Sequence, residues 1–420
     1  MSKEEIIEQL LKENIILSTG CTEPVAVALC VAKAKEVLGH QPQRIELHIS
    51  QNVIKNAMGV GIPGTGMIGL PIAISLGVVC GESSKGLDVL NCKSECMPIA
   101  KEWLKTHKLE IFHAKDVDKL YIECRAYAGN SSSKVIIAQT HLNFVHIQKD
   151  EEVQFEKAVQ SVELKDIDNN LEITLKDVFD YSTKSPLEKL RWILDIVPVI
   201  DAASQEGLRG DYGLKIGKIL MNDEETSVRK RVIARTCAAS DARMGGATAP
   251  VYTNSGSGNQ GVTCTLPIYH FAKETQKTEE QLIRSLMLSH LVSTYVKQYI
   301  GRLSALCGLV NASIGASAGL VLLQGGTYEQ VGSAIKNMIN TITGMICDGA
   351  KPSCSLKMSV ALGSAFDSST LAIRNIEVEP TDGISEKSIE RSIQNIGKIG
   401  RYGMDSMDDL ILEILTSKED

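Results

Sequence analysis

Acidic and aliphatic residues alternate at helical spacing over residues 3–13, and the pattern predicts an opening helix. In ILSTGCTEPVAVALCVAKAKEVLG, Ser18, Thr19 and Thr22 can cap a helix and Pro24 suits its first turn. A second helix is therefore expected from Glu23 or Pro24 to Val37, closed by Gly39. RIELHIS (Arg44 to Ser50) alternates cleanly and predicts a strand. The apolar run from Met67 to Cys80 contains Pro71 and reads as core. A helix over 97–107 follows, then strands at Lys108 to Ala114, Lys119 to Gly129 and Lys134 to Gln148. The last two form a hairpin around Gly129-Asn130-Ser131.

Past the polar stretch Lys165 to Lys189, strand alternation fades and helical spacing takes over. Helices are expected over Pro186 to Gln205, Glu224 to Ser240, Thr278 to Ile300, Arg302 to Leu323, Glu329 to Ile346, Lys351 to Phe366, Glu386 to Ile396 and Met404 to Leu415. The fold class that follows is α+β: a mixed α/β domain over 1–185, then an all-helical domain over 186–420. A chain of 420 residues is long enough for two such cores.

Composition narrows the function. Net charge is -7 and no basic run is present, which excludes a general nucleic-acid binder. Leu303 to Leu323 matches a bilayer span in length but carries Asn311, serines and glycines and lacks aromatic belts, so it reads as a buried helix. Eleven cysteines show no secreted-type framework, and the charged N-terminus is not a signal peptide. A reducing cytoplasm is the expected location, with free or metal-bound thiols.

The candidate chemistry lies on cysteines and on one glycine-rich stretch. Cys307 lies in the small-residue segment Gly301 to Leu323, uncharged after Arg302, and Cys347 and Cys354 flank a turn that holds Gly349, Lys351 and Pro352. Three thiols around turns can hold a metal or an iron–sulfur cluster, or be ordinary buried residues. Cys21 precedes a helix N-terminus, where dipole and free amides favour a thiolate. Cys92, Cys96 and Cys124 complete no zinc pattern and read as structural, as do His113, His141 and His146 on their strands. GxGxxG occurs at Gly59-Gly61-Gly64 and at Gly256-Gly258-Gly261. Neither has the strand–turn–helix context of a dinucleotide site, and the first reads as a tight loop or close backbone approach. Between Ala234 and Ile268, Asn254, Ser255, Ser257 and Asn259 supply donors that suit a carboxylate or phosphate, or else a surface loop.

STGCTEPVAVAL, NSGSGNQGVTCTLP, ALCGLVNASIGASAG and GMICDGAKPSCSLK together resemble the motifs of the L-cysteine desulfidase family, which is related to the α-subunit of iron–sulfur L-serine dehydratases. The resemblance implies PLP-independent β-elimination from a small amino acid, L-cysteine or L-serine, with an air-labile 4Fe–4S cluster. It implies Cys307, Cys347 and Cys354 as ligands, with one iron left open, and Cys21 as base or as rival third ligand. Thr22, Glu23, Asn254, Ser255, Gly256, Asn259 and Lys357 are the implied substrate contacts, with Arg243 as a further cation. A homodimer is a fair expectation for so large a helical half. A non-catalytic cluster- or amino-acid-binding regulator is the alternative from another class.

Overall fold

The computed structural model describes residues 1–158, 172–224, 227–301 and 303–418. Its strands are β1 (Leu17–Ser18), β2 (Arg44–Ile49), β3 (Lys108–His113), β4 (Tyr121–Ala128), β5 (Ser131–Ala138), β6 (Phe144–Lys149), β7 (Glu152–Glu156) and β8 (Val251–Tyr252). Six form one sheet in the order β3-β2-β4-β5-β6-β7, antiparallel except for the β2–β3 pair. The alternation read in β2 is observed as alternating buried and half-buried side chains. Ala128 pairs with Ser131, leaving Gly129 and Asn130 as the two-residue hairpin loop. The sheet in the N-terminal half and the helices in the C-terminal half make the chain α+β.

The helix Thr22–Leu38 lies on β4 and β5, and Leu70–Val79 packs on that helix in turn. Thr22–Leu38 is apolar nearly all round and buried along almost its whole length. Gly39, at φ 82°, ends it in the left-handed conformation.

The C-terminal half is built around Gly308–Leu323. It packs against Glu279–Ile300, Gly258–Glu274, Cys354–Ile373 and Tyr328–Ile342. Small side chains allow the close approach: a Cβ on Gly315 would stand 2.2 Å from the Ser289 carbonyl oxygen. Among the described residues, no helix is long and apolar enough to cross a membrane.

The opening helix, expected over 3–13, is Lys3–Asn14 and buries Ile7 and Leu11 in the core of the C-terminal helices. The C-terminal half is helical as expected, with the two-residue β8 as an addition that pairs with β1. Several expectations are corrected. The stretch read as one strand from Lys134 to Gln148 is two, broken by a turn at which Gln139 has φ 68°. The helix expected from Arg302 starts at Gly308, because Leu306 and Cys307 instead pair with the 345–347 segment; Arg302 itself lies outside the described residues. Within the polar stretch from Lys165, the residues up to 171 also lie outside them, and the rest includes the helix Leu175–Lys184, which opens on a Thr174 capping box. The expected helix Pro186 to Gln205 is interrupted, with Ile196–Arg209 as its long piece. The glycine-rich stretch read as a loop contains the helix Gly258–Glu274.

Candidate functional site

Four helices bring their N-termini to one cavity. Cys21 is the N-cap of Thr22–Leu38, Ser257 of Gly258–Glu274 and Cys307 of Gly308–Leu323, while Cys354 is the first residue of Cys354–Ile373. All four line the same pocket, together with Cys347. The positive ends of these helix dipoles lie at the cavity, which favours anions. The chain folds this way because two irregular segments are tied across: the Cys307 amide donates to the Met345 carbonyl at 3.0 Å, and the Cys347 amide to Ala305 at 2.7 Å.

One wall carries charge. Glu23 is buried; its Oε1 accepts from Asn56 Nδ2 at 3.1 Å and its Oε2 accepts from the Cys21 thiol, also at 3.1 Å. His141 Nε2 lies 3.7 Å from Oε1. Burial alone would raise this carboxyl, but His141 and Cys21 outweigh it and hold Glu23 at about 2. Thr22 Oγ1 donates to the Gly256 carbonyl at 2.8 Å and fastens the helix start to the 255–258 turn. Arg243 is buried opposite, with Nε donating to Asn259 Oδ1 at 3.1 Å and Nη2 to the Gly20 carbonyl at 3.0 Å. Its Nη1 is buried with no protein acceptor. Close backbone contact seats this wall: a Cβ on Gly61, in the first glycine-rich loop, would meet the Gly246 nitrogen at 2.6 Å.

The other wall carries sulfur. Cys307, Cys347 and Cys354 are free thiols. Hydrogen bonding from the Cys307 thiol, aided by the charges of Lys55 and Lys357, brings Cys347 down to about 6 against its burial. The same hydrogen bond, together with burial, pushes Cys307 up. Burial pushes Cys354 up to about 11. Among the described residues, no three His, Cys, Asp or Glu side chains are set to hold a single metal ion. That is the spacing one ion demands; a cluster spreads its cysteines over separate irons.

Cys21, Thr22, Glu23, Ser255, Gly256, Asn259, Cys307, Cys347 and Cys354 all line the cavity, as does Arg243. Two expected contacts do not. Asn254 is fully buried and saturated: its amide donates to the His290 carbonyl and to Thr294, and its oxygen accepts from Ser255 and Ser293. It shapes the turn and is not presented to a ligand. Lys357 is paired with Asp348 and donates to the Ile346 carbonyl at 3.0 Å, so its ammonium is spent on the wall behind the thiols. The thiolate expected at Cys21 is also corrected. Burial first, and then the charge and hydrogen bond of Glu23, raise this thiol well above its ordinary value, while Arg243 opposes them.

Sequence reasoning missed His141 as a site residue, because the strand pattern runs through it, and missed Asn56 and Gln260. The glutamine beside Asn259 in NSGSGNQG was the available signal. Lys55 and Asp408 were missed too: they form a buried pair at 2.6 Å, and Lys55 Nζ also donates to the Cys347 carbonyl at 3.0 Å. The pair joins the helix Asp405–Thr416 to Gln51–Ala57 directly behind the site. Lys55→Met leaves Asp408 buried and unpaired, and is expected to cost about 3–5 kcal/mol of stability. Denaturant unfolding measures it; an unchanged midpoint would mean the pair adds no net stability.

Comparison with known proteins assigns the class. The family model described as serine dehydratase alpha chain matches residues 138–413, and the chain belongs to that family. The match takes in the three-thiol wall and Arg243, but begins after the Cys21 segment. Similar proteins run the full length. A UPF0597 protein of Bacteroides thetaiotaomicron is 46% identical over 99% of both chains. One from Porphyromonas gingivalis is 43% identical over 100% of this chain and 99% of its own, and one from Oleidesulfovibrio alaskensis 38% over 98% and 97%.

Proposed function

We propose that this chain is an iron–sulfur lyase that eliminates sulfide from L-cysteine, giving pyruvate, ammonia and sulfide. The observation that carries the reading is that three thiols, Cys21, Glu23 and Arg243 share one cavity at four helix N-termini. The donor set fits a 4Fe–4S group. Cys307, Cys347 and Cys354 are unbridged thiols lining one cavity, and the helix N-termini gathered there favour an anionic cluster. Cys347, ionised near neutral pH, is a ready ligand. When bound, the cluster supplies a Lewis-acidic iron for the leaving group.

The remaining work falls to the chain's own residues. The unpartnered Nη1 of Arg243 takes the substrate carboxylate, beside the amides that open Gly258–Glu274. Glu23, held ionised, takes the substrate ammonium. That docking offsets the negative charge which, after burial, keeps the Cys21 thiol protonated. The Cys21 proton leaves along its 3.1 Å hydrogen bond to Glu23, toward Nε2 of His141, 3.7 Å from the other carboxylate oxygen. The Cys21 thiolate then removes the α-proton, the Cα–H electron pair forms the Cα=Cβ bond, and the Cβ–S bond breaks with departure of sulfide. The aminoacrylate released tautomerises and hydrolyses to pyruvate and ammonia.

Support for L-cysteine comes from the GCTEP and DGAKPSC segments and their resemblance to cysteine desulfidases. The family match supports a second reading, dehydration of L-serine by the same residues. Anaerobic reconstitution with iron and sulfide, followed by pyruvate assay on both amino acids, tests the proposal. Cluster absorption with faster turnover of L-cysteine is expected. Turnover of L-serine alone would transfer the assignment to the second reading, and binding without turnover would sink both. Arg243→Gln is expected to raise KM about tenfold to a hundredfold, the worth of a charged hydrogen bond. An unchanged KM would remove Arg243 from the carboxylate site.

A further inference from the structure

A second group of thiols lies on the sheet domain, outside the cavity. Cys80 ends the helix Leu70–Val79, Cys92 follows the turn Ser83–Asp88, and Cys96 opens the helix Cys96–Thr106. Cys80 and Cys92 touch, with the Cys80 Sγ donating to Cys92 Sγ at 2.8 Å. Cys96 lies close enough for its charge to bear on Cys80. All three are partly exposed and unbridged. Of the three cysteines read from sequence as structural, Cys124 is fully buried, whereas Cys92 and Cys96 are partly exposed.

We propose that Cys80 and Cys92 are a thiol–disulfide exchange site that reduces low-molecular-weight disulfides and closes into an intramolecular disulfide. The two sulfurs stand only about 0.8 Å beyond the roughly 2.05 Å bond length, so they are already within reach of one another. Cys92 is the attacking sulfur. The hydrogen bond from Cys80 lowers its thiol against the effect of burial, and the charges of Lys85 and Lys35 add to this. Cys92 attacks one sulfur of the external disulfide, forms a mixed disulfide and expels the other half as a thiolate, which takes up a proton. Cys80 then loses its proton and attacks Cys92 Sγ, expelling the second half as a thiol. Two protein thiols are oxidised to one disulfide, and one small disulfide is reduced to two thiols.

The loop so bracketed reaches the proposed active site from behind. The Leu87 carbonyl accepts from the Thr19 amide at 3.4 Å, and Asp88 Oδ1 accepts from Thr19 Oγ1 at 2.5 Å, two residues before Cys21. Ser83, at the start of the loop, donates from its amide to Glu36 Oε1 at 2.7 Å. Closure therefore braces the segment that carries Cys21, whatever reaction that segment serves.

Peptide mapping tests the proposal on the full chain, independently of any enzymatic activity. Lys85 and Lys93 place Cys80, Cys92 and Cys96 on three separate tryptic peptides. The reduced protein is exposed to cystine under inert gas, quenched in acid, alkylated and digested. A linked Cys80–Cys92 peptide, lighter by about 2 Da than the two free ones, is expected. Cys80→Ser should stop at a mixed disulfide on Cys92, heavier by about 119 Da. Cys96→Ser should still close. Alkylation of both Cys80 and Cys92 in the treated wild-type chain, or a link formed by another pair, would overturn the proposal.

Discussion

Cys347→Ser protein, reconstituted anaerobically, is expected to show little cluster absorption and to lose at least about a thousandfold in turnover, the several kcal/mol that Lewis-acid catalysis supplies. Cys307→Ser and Cys354→Ser should do the same. Serine offers a hard, protonated oxygen where iron–sulfur chemistry wants a soft thiolate. Cys347 is the most informative of the three. Its sulfur is the one held ionised, by the Cys307 hydrogen bond and by Lys55 and Lys357. Its backbone is fixed on both sides, by the Ala305 carbonyl and by Lys55 Nζ. The serine oxygen would therefore occupy the same place, and loss of iron would report the ligand atom rather than a collapsed wall. Iron content should fall from about four per chain, while Cys96→Ser, remote from the cavity, should keep it. Full absorption in all three cavity variants would rule out this ligand set. Retention in Cys354→Ser with loss in Cys21→Ser would instead make Cys21 the third ligand.

Cys21→Ala is expected to keep its cluster yet lower kcat by about 10²- to 10⁴-fold, the range for loss of a general base. Exchange of the substrate α-proton with deuterated solvent should stop in this variant, a readout that cluster loss alone would not imitate. Glu23→Gln separates the two acidic groups. Glu23 raises the Cys21 thiol in the free protein, so a neutral amide lowers that value and increases the thiolate fraction at a given pH. Alkylation of Cys21 by iodoacetamide near neutral pH should therefore be faster in Glu23→Gln than in the wild-type chain. Its kcat/KM should fall, because the ammonium has lost its partner. Slower or equal alkylation would mean that Glu23 does not hold the Cys21 proton.

Local pattern carried much of the fold. Alternation in RIELHIS, the two-residue Gly129-Asn130 loop and Gly39 at the end of Thr22–Leu38 are short-range signals, and each is found where the residues predict it. The turn that splits Lys134 to Gln148 left no such trace, since Thr140 and His141 suit a strand as well as a loop. Gly258–Glu274 was hidden for a related reason. Gly258, Gly261 and Pro267 depress helix propensity, and burial against Gly308–Leu323, Val228–Met244 and Glu279–Ile300 outweighs that cost.

The sequence by itself determined which atoms are available: thiols at Cys21, Cys307, Cys347 and Cys354, a carboxyl at Glu23, and a donor-rich stretch from Ser255 to Asn259. Only the tertiary structure decided which of them face one another. Asn254 and Lys357 looked as well suited as Asn259 and Arg243, but His290, Thr294 and Ser293 saturate the first, and Asp348 takes the second. Arg243 has one nitrogen to spare, and only a three-dimensional count of acceptors reveals it. Charge state followed the same rule. A cysteine before a helix promises a thiolate on local grounds, but burial, and then a carboxylate 3.1 Å away, reverse the promise, because a low-dielectric interior disfavours the charged thiolate and strengthens the nearest charge.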